Sequence, residues 1–166
     1  MSTISVTETI NAPRERVFAI ASDIPNAAGF VRGIEKIEVL SEAPPSPDNL
    51  GPVGKGFAWR ETRVMFGKKA TETMSITGWN PPVAYTAEAH SHGAHYLSLF
   101  TFTETEPGVT RVTMSFSATP ETFMARVMMK IFSAMTKHLV KCLANDLRDI
   151  KAAAEAQSPP PEASPA

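Results

Sequence analysis

Apolar and polar positions alternate with a period of two through most of this chain. Near residue 120 they switch to a helical period that lasts almost to the end. Ile4, Val6 and Ile10 alternate with Ser5, Thr7 and Thr9, the spacing of a half-buried strand. Asn11-Ala12-Pro13 stops it, and Pro13 stands where a first helical residue would. Val17-Phe18 and Ile20-Ala21 predict a short helix. Asp23-Ile24-Pro25 breaks that helix, and Asn26 to Phe30 fits a further helical turn. Ile34, Ile37, Val39 and Leu40 mark a second strand from about Gly33 to Ser41. Prolines and glycines crowd Ala43 to Gly54, predicting a loop long enough to act as a lid or rim. Strands then follow over Lys55–Phe66, Lys68–Trp79, Val83–His90, Ala94–Glu104 and Val109–Ala118. Gly67, Asn80-Pro81-Pro82, His92-Gly93 and Pro107-Gly108 punctuate them, which predicts one antiparallel meander.

The helical period is expected to form one long helix from about Glu121 to about Glu155. Thr119-Pro120-Glu121 supplies its start signal: a capping hydroxyl, proline at the first position, then a carboxylate at the positive end. At 100° per residue, Met124, Met128, Ile131, Phe132, Met135, Leu139, Cys142 and Leu143 share one face. Arg126, Lys130, Ser133, Lys137, Lys141, Ala144 and Arg148 share the other. A helix of roughly 30 residues is about 45 Å long. It cannot bury such a stripe alone, and a single sheet has one face to cover. The fold expected is therefore α+β: about seven antiparallel strands curved around the long helix, with two short helices after the first strand. The tail Gln157–Ala166 carries Pro159, Pro160, Pro161 and Pro165 and no large apolar residue. It is expected to be disordered and to follow a single domain over residues 1–156.

Composition narrows the function classes. Apolar residues at 43% and charged residues at 20% are ordinary for a globular protein. A net charge of -1 gives no reason to expect a nucleic-acid partner. The lone Cys142 makes neither an internal disulfide nor a metal site by itself. No charged, apolar leader opens the sequence and no apolar run approaches a membrane span, so a cytoplasmic location is the expectation.

The order of elements resembles the helix-grip fold of the START-like, polyketide cyclase/dehydrase SRPBCC superfamily. The resemblance covers nearly the whole folded chain. It rests on Ile10-Asn11-Ala12-Pro13-Arg14-Glu15-Arg16-Val17-Phe18 and on Phe30-Val31-Arg32-Gly33-Ile34-Glu35-Lys36-Ile37-Glu38-Val39-Leu40. Val53-Gly54-Lys55-Gly56, Trp79-Asn80-Pro81-Pro82 and Pro107-Gly108-Val109-Thr110-Arg111-Val112-Thr113 follow in order. It implies a hydrophobic cavity between sheet and long helix that holds a lipid, polyketide, hormone or isoprenoid quinone; some members are cyclases.

Strand parity nominates the cavity wall. Phe57, Trp59, Glu61, Arg63 and Met65 share one face of the third strand; Ala70, Glu72, Met74 and Ile76 share one face of the fourth. Val83, Tyr85, Ala87 and Ala89 share a side of the fifth, where the small alanines would leave volume unfilled. Tyr96, Ser98, Phe100 and Phe102 go together on the sixth, and Val112, Met114 and Phe116 on the seventh. The expected ligand contacts are Trp59, Glu61, Arg63, Glu72, Met74, Tyr85, Tyr96, Phe100, Met114, Met128, Phe132 and Met135. Charges among apolar neighbours must be paired or shifted in pKa. Glu61, Arg63 and Glu72 therefore form either a structural ion pair or a polar anchor for a ligand carbonyl. A Phe66–Lys68 turn would oppose Glu72 to about position 62.

No Ser-His-Asp order, phosphate-binding glycine loop or HExxH pattern is present, so no catalytic residue or cofactor is assigned. His90, His92 and His95 read as loop-end surface residues beside Gly93, lacking the further ligands a metal needs. The reading is a protein that binds a small apolar ligand. One alternative is a cyclase or dehydratase moving a proton with Glu61 or Glu72. Another is a module that docks to a partner protein. The unbroken basic row also leaves open transient docking to an anionic membrane. Ligand identity and oligomeric state are not legible.

Overall fold

The computed structural model describes residues 2–156, the side chains of Ser2, Ile131 and Phe132 excepted. The proposed tail over 157–166 and the proposed ligand contact of Phe132 therefore lie outside the described residues. Strand β1 (Ser2–Ile10) is followed by α1 (Arg14–Ala21) and a 3-10 helix (Ile24–Gly29). Then come β2 (Ile34–Ser41), β3 (Ala58–Met65), β4 (Lys68–Asn80), β5 (Ala84–Ser91), β6 (Ala94–Glu106) and β7 (Val109–Pro120). All seven form one sheet in the order β1-β7-β6-β5-β4-β3-β2, with antiparallel pairing throughout. The expected α+β helix-grip arrangement is what forms.

Two-residue turns fix the register. Phe66 and Gly67 both have positive φ, 54° and 72°, and so do His92 and Gly93, 51° and 73°. Positive φ at both central positions is the geometry whose twist matches the flanking strands. The first turn opposes Glu61 to Glu72, one residue from the position that the sequence suggests. A bulge between Ile76 and Gly78 bends β4. At Gly78 a Cβ would lie 2.9 Å from Thr86 Oγ1, so a larger residue would push the strands apart.

The C-terminal element departs from expectation. It is α2 (Phe123–Phe132), a 3-10 turn (Ser133–Met135) and α3 (Thr136–Ala156), not one unbroken helix. Thr119 and Pro120 complete β7 opposite His95 and Ala94; proline is tolerated there because a strand end needs no further N–H donor. The cap is Thr122, whose hydroxyl accepts from Ala125 N at 3.1 Å. The 3-10 turn winds at about 3.0 residues rather than 3.6, so the face of α2 no longer continues into α3. Met124 and Met128, assigned to the buried stripe, are 68% and 43% exposed.

Packing is carried by α3 and α1. Leu143, Leu147, Ile150 and Ala154 are buried with Val17, Phe18, Ile10, Phe102 and Val112. A second buried group, Ile24, Val53, Phe57, Trp59, Ile76 and Ala87, lies under β3–β5. The loop over 43–54 packs on itself and on the start of this second group. Asn49 Nδ2 donates to Pro44 O at 2.8 Å, and Trp79 Nε1 donates to Asp48 O at 2.9 Å.

Candidate functional site

Between the inner sheet face and α3 lies a cavity of about 490 Å³, within the usual range for small-molecule sites. Its wall follows the strand parity. Trp59, Glu61, Arg63 and Met65 line it from β3, and Ala70, Glu72 and Met74 from β4. Tyr85, Ala87 and Ala89 come from β5, Tyr96, Ser98 and Phe100 from β6, and Met114 and Phe116 from β7. Met135, Leu139, Leu143 and Asp146 close it from the helical side. Ten of the twelve expected contacts thus reach one cavity: all but Met128 and the undescribed Phe132. Met128 is corrected. The phase of α2 turns it outward and brings Met129 to the wall instead. The loop over 43–54 contributes nothing to this lining, so it is neither lid nor rim of the cavity.

One end of the cavity is charged. Arg63 Nε lies 2.8 Å from Glu61 Oε1, and Arg63 Nη2 donates to Asp146 Oδ2 at 2.9 Å. The Nε contact is an ion pair too far off line to be a hydrogen bond. Trp59 Nε1 donates to the other Glu61 oxygen at 3.4 Å. The three charged side chains are only 17%, 11% and 15% exposed for Arg63, Glu61 and Asp146. Burial pushes the Glu61 and Asp146 carboxyls above their ordinary range, against the opposing pull of Arg63. Burial works against the Arg63 charge, but Asp146 and Glu61 outweigh it and hold the guanidinium protonated.

The expected trio of Glu61, Arg63 and Glu72 is therefore revised. Glu72 is opposite Glu61 in the ladder, yet its carboxylate accepts from Ser91 Oγ at 3.1 Å and is 35% exposed. Asp146 takes its place beside Arg63. The sequence carried a signal for it: Asp146 falls three residues after Leu143 and seven after Leu139, inside the apolar stripe. Asp149, one turn on, is also buried, and it holds Arg32 through its backbone N–H at 2.9 Å and an ion pair at 2.8 Å. Gly33, next to Arg32, lies with its Cβ position 3.5 Å from Asp146 Oδ1.

The rest of the wall is apolar or committed. Tyr85 stacks on Phe100 with centroids 4.7 Å apart, and its hydroxyl donates to Ala21 O at 2.9 Å. Burial, then the nearby Glu61 charge, raises the Tyr85 pKa, so it is a fixed wall rather than a proton donor to a ligand. Tyr96 is raised by burial and then by Glu72. Such an arrangement can enclose an apolar body and offer one polar end, whose buried carboxyls hold a proton more readily than in water.

The sheet gripping a C-terminal helix around a walled cavity defines a helix-grip protein. The chain belongs to the polyketide cyclase / dehydrase and lipid transport family, whose model matches residues 1–155. Among solved structures, it is similar to TTHA0849 from Thermus thermophilus, with 18% identity and a TM-score of 0.73 over 95% of this chain and 100% of that one. It is also similar to the ZhuI aromatase/cyclase from a Streptomyces species, R1128, with 17% identity and a TM-score of 0.70 over 94% of each chain. A START superfamily protein from Mycobacterium smegmatis matches with 15% identity and a TM-score of 0.63 over 89% of this chain and 98% of that one. At such identities the likeness is one of fold. No curated protein matches the sequence.

Proposed function

We propose that this protein acts as one ligand-binding domain that takes up a single apolar molecule bearing a carbonyl or similar acceptor, without covalent catalysis. The observation that carries this reading is the cavity itself: apolar and aromatic walls with one charged end built by Glu61, Arg63 and Asp146. Two acids sharing one arginine in a desolvated site hold a proton more readily than in water. The neutral carboxyl then donates to the ligand's acceptor while the apolar body lies against Phe100, Met114 and Met74. Lipids and polyketides of the kind that the family description covers offer that combination.

Native mass spectrometry of the purified protein, followed by organic extraction, is expected to show one bound apolar molecule per chain. Titration of the emptied protein with an apolar dye or a quinone should then change the emission of Trp59, which lines the cavity, and leave Trp79 nearly silent. Trp79 packs on Phe18 with centroids 5.1 Å apart and bonds to Asp48, outside the lining. Emission change from Trp79 alone, or no saturable binding, would defeat the reading. Turnover of the extracted molecule that stops in Glu61→Gln would favour a cyclase or dehydratase.

A second reading, compatible with the first, follows from α2. Phe123, Met124, Val127 and Met128 are exposed at 76%, 68%, 41% and 43%. The stretch over 122–145 holds Arg126, Lys130, Lys137 and Lys141 and no acid, in a chain of net charge -1. Exposed apolar residues flanked by cations suit docking at an anionic bilayer surface, and Met129 places the cavity wall on the same helix. The protein is expected to sediment with vesicles containing anionic phosphatidylglycerol and not with neutral phosphatidylcholine. The double variant Phe123→Asp, Met124→Asp should lose this. Equal binding to both vesicle types, or none to either, would leave α2 without that role.

A further inference from the structure

The outer face of the β5–β6 hairpin carries a cluster that takes no part in the cavity. Ala87 and Ala89 line the cavity, so the alternating Glu88 and His90 point to the other side of the sheet. His95 stands directly opposite His90 on β6, and their imidazole rings stack with centroids 4.5 Å apart. The tight turn through His92 and Gly93 holds that register. Donor atoms of Glu88, His90 and His95 all lie within 4.8 Å of one another. A second carboxylate arrives from beyond β7. Glu121 N donates to Gly93 O at 2.8 Å, drawing the residue to the turn, and its carboxylate is 3.4 Å from His90 Nδ1.

We propose that Glu88, His90 and His95, with Glu121 as a fourth donor, form a site for a zinc-type divalent cation on the sheet face opposite the cavity. Two imidazoles with carboxylates match the N/O donor set of zinc, whereas magnesium and calcium take oxygen donors. Bringing the donors to about 2.0–2.2 Å from one ion needs only rotation of side chains that are partly or wholly exposed. The carboxylate is already oriented from behind. Thr77 Oγ1 donates to Glu88 Oε1 at 2.7 Å and leaves Oε2 2.8 Å from His95 Nε2, as outer partners of metal ligands do. Without a cation the same contacts are histidine–carboxylate pairs, 28% and 26% exposed for His95 and Glu88 and 62% and 48% for His90 and Glu121. His92 is set apart: it lies in the turn, its Nδ1 is 2.6 Å from Ser91 Oγ, and it faces Glu72 on the cavity side. An ion bound here would tie the hairpin to the segment that leads into α2.

The test uses tag-free protein carrying Cys142→Ser, titrated with zinc against a chromophoric chelator near neutral pH. One zinc per chain is expected, together with a rise in melting temperature that follows zinc concentration. His90→Ala and His95→Ala should each weaken binding by about 100-fold, and Thr77→Val by about 10-fold, while His92→Ala changes nothing. Melting temperatures without zinc should stay together across the variants, which separates loss of a ligand from loss of the fold. Absence of saturable zinc binding overturns the proposal. So does binding that survives both His90→Ala and His95→Ala, or that is lost in His92→Ala.

Discussion

Replacing Arg63 by methionine is expected to lower folding stability by about 3–5 kcal/mol at neutral pH, because it strands two carboxyls in a desolvated site. Glu61 and Asp146 are 11% and 15% exposed, and Arg63 is the cation paired with both. Methionine keeps most of the apolar stem, so lost packing is a small part of the effect. The pH dependence gives the prediction its sign. Burial raises both carboxyls above their ordinary values, and Arg63 pulls both down. An acid with a raised native pKa keeps its proton in the fold after the unfolded chain has released it. Its contribution is therefore complete below the unfolded range, around 4, and declines as pH rises through the native values. Without Arg63 both native values rise further and the decline extends upward in pH. Urea denaturation from about pH 4 to pH 8 should show wild type and Arg63→Met nearly level in acid and diverging towards neutrality. Adding Glu61→Gln and Asp146→Asn should recover much of the loss. A difference that stays constant with pH would mean that Arg63 acts through packing alone, and the polar anchor would lose its basis.

The sheet was legible because its signals are local and repeat. Alternation assigns each strand's faces, and a glycine-containing two-residue turn allows only one register, which is why Glu61 and Glu72 meet within a residue of the suggested place. The C-terminal helix was legible in length and chemistry but not in phase. Projection at a constant angle assumes an unbroken helix, and the 3-10 turn at Ser133–Met135 invalidates that assumption for everything before it. Hence Met128 faces out and Met129 faces in, while Leu143, after the break, is buried as expected. Asp146 was missed for a different reason. An acid inside an apolar stripe is visible in the sequence, but its partner Arg63 is 83 positions away, and only the folded sheet brings the two together. Glu72 shows the converse. Its place in the ladder was legible to within one residue, but the direction of its carboxylate depends on Ser91, at the end of β5. The loop over 43–54 could be recognised as a loop from its prolines. Its attachment to Trp79 rather than to the cavity depends on one indole N–H finding Asp48.

Ala89→Trp is expected to abolish ligand uptake while leaving the fold intact. Ala89 is 6% exposed and faces Met74 and Tyr96 across the ladder, on the wall of the cavity. In a filled interior, inserting so large a side chain forces neighbours off their rotamers, at a typical cost of about 1–3 kcal/mol and sometimes more. Ala154 is such a place: it is wholly buried among Ile10, Val17 and Ile150, and Ala154→Trp should be strongly destabilised. At Ala89 the indole has about 490 Å³ of open volume to enter and gains apolar burial there. The melting temperature of Ala89→Trp should therefore match or exceed that of the wild type, and affinity for an apolar dye or quinone should fall by about 100-fold, roughly 2.7 kcal/mol of binding free energy. Both substitutions put the same side chain at a buried alanine, one on β5 facing open volume and one on α3 in filled core, so the comparison tests whether the cavity has room for it. If Ala89→Trp is destabilised as much as Ala154→Trp, the volume is not open in solution. If it folds and still binds with unchanged affinity, the ligand lies elsewhere, and the anchor formed by Glu61, Arg63 and Asp146 holds the structure together without holding a ligand.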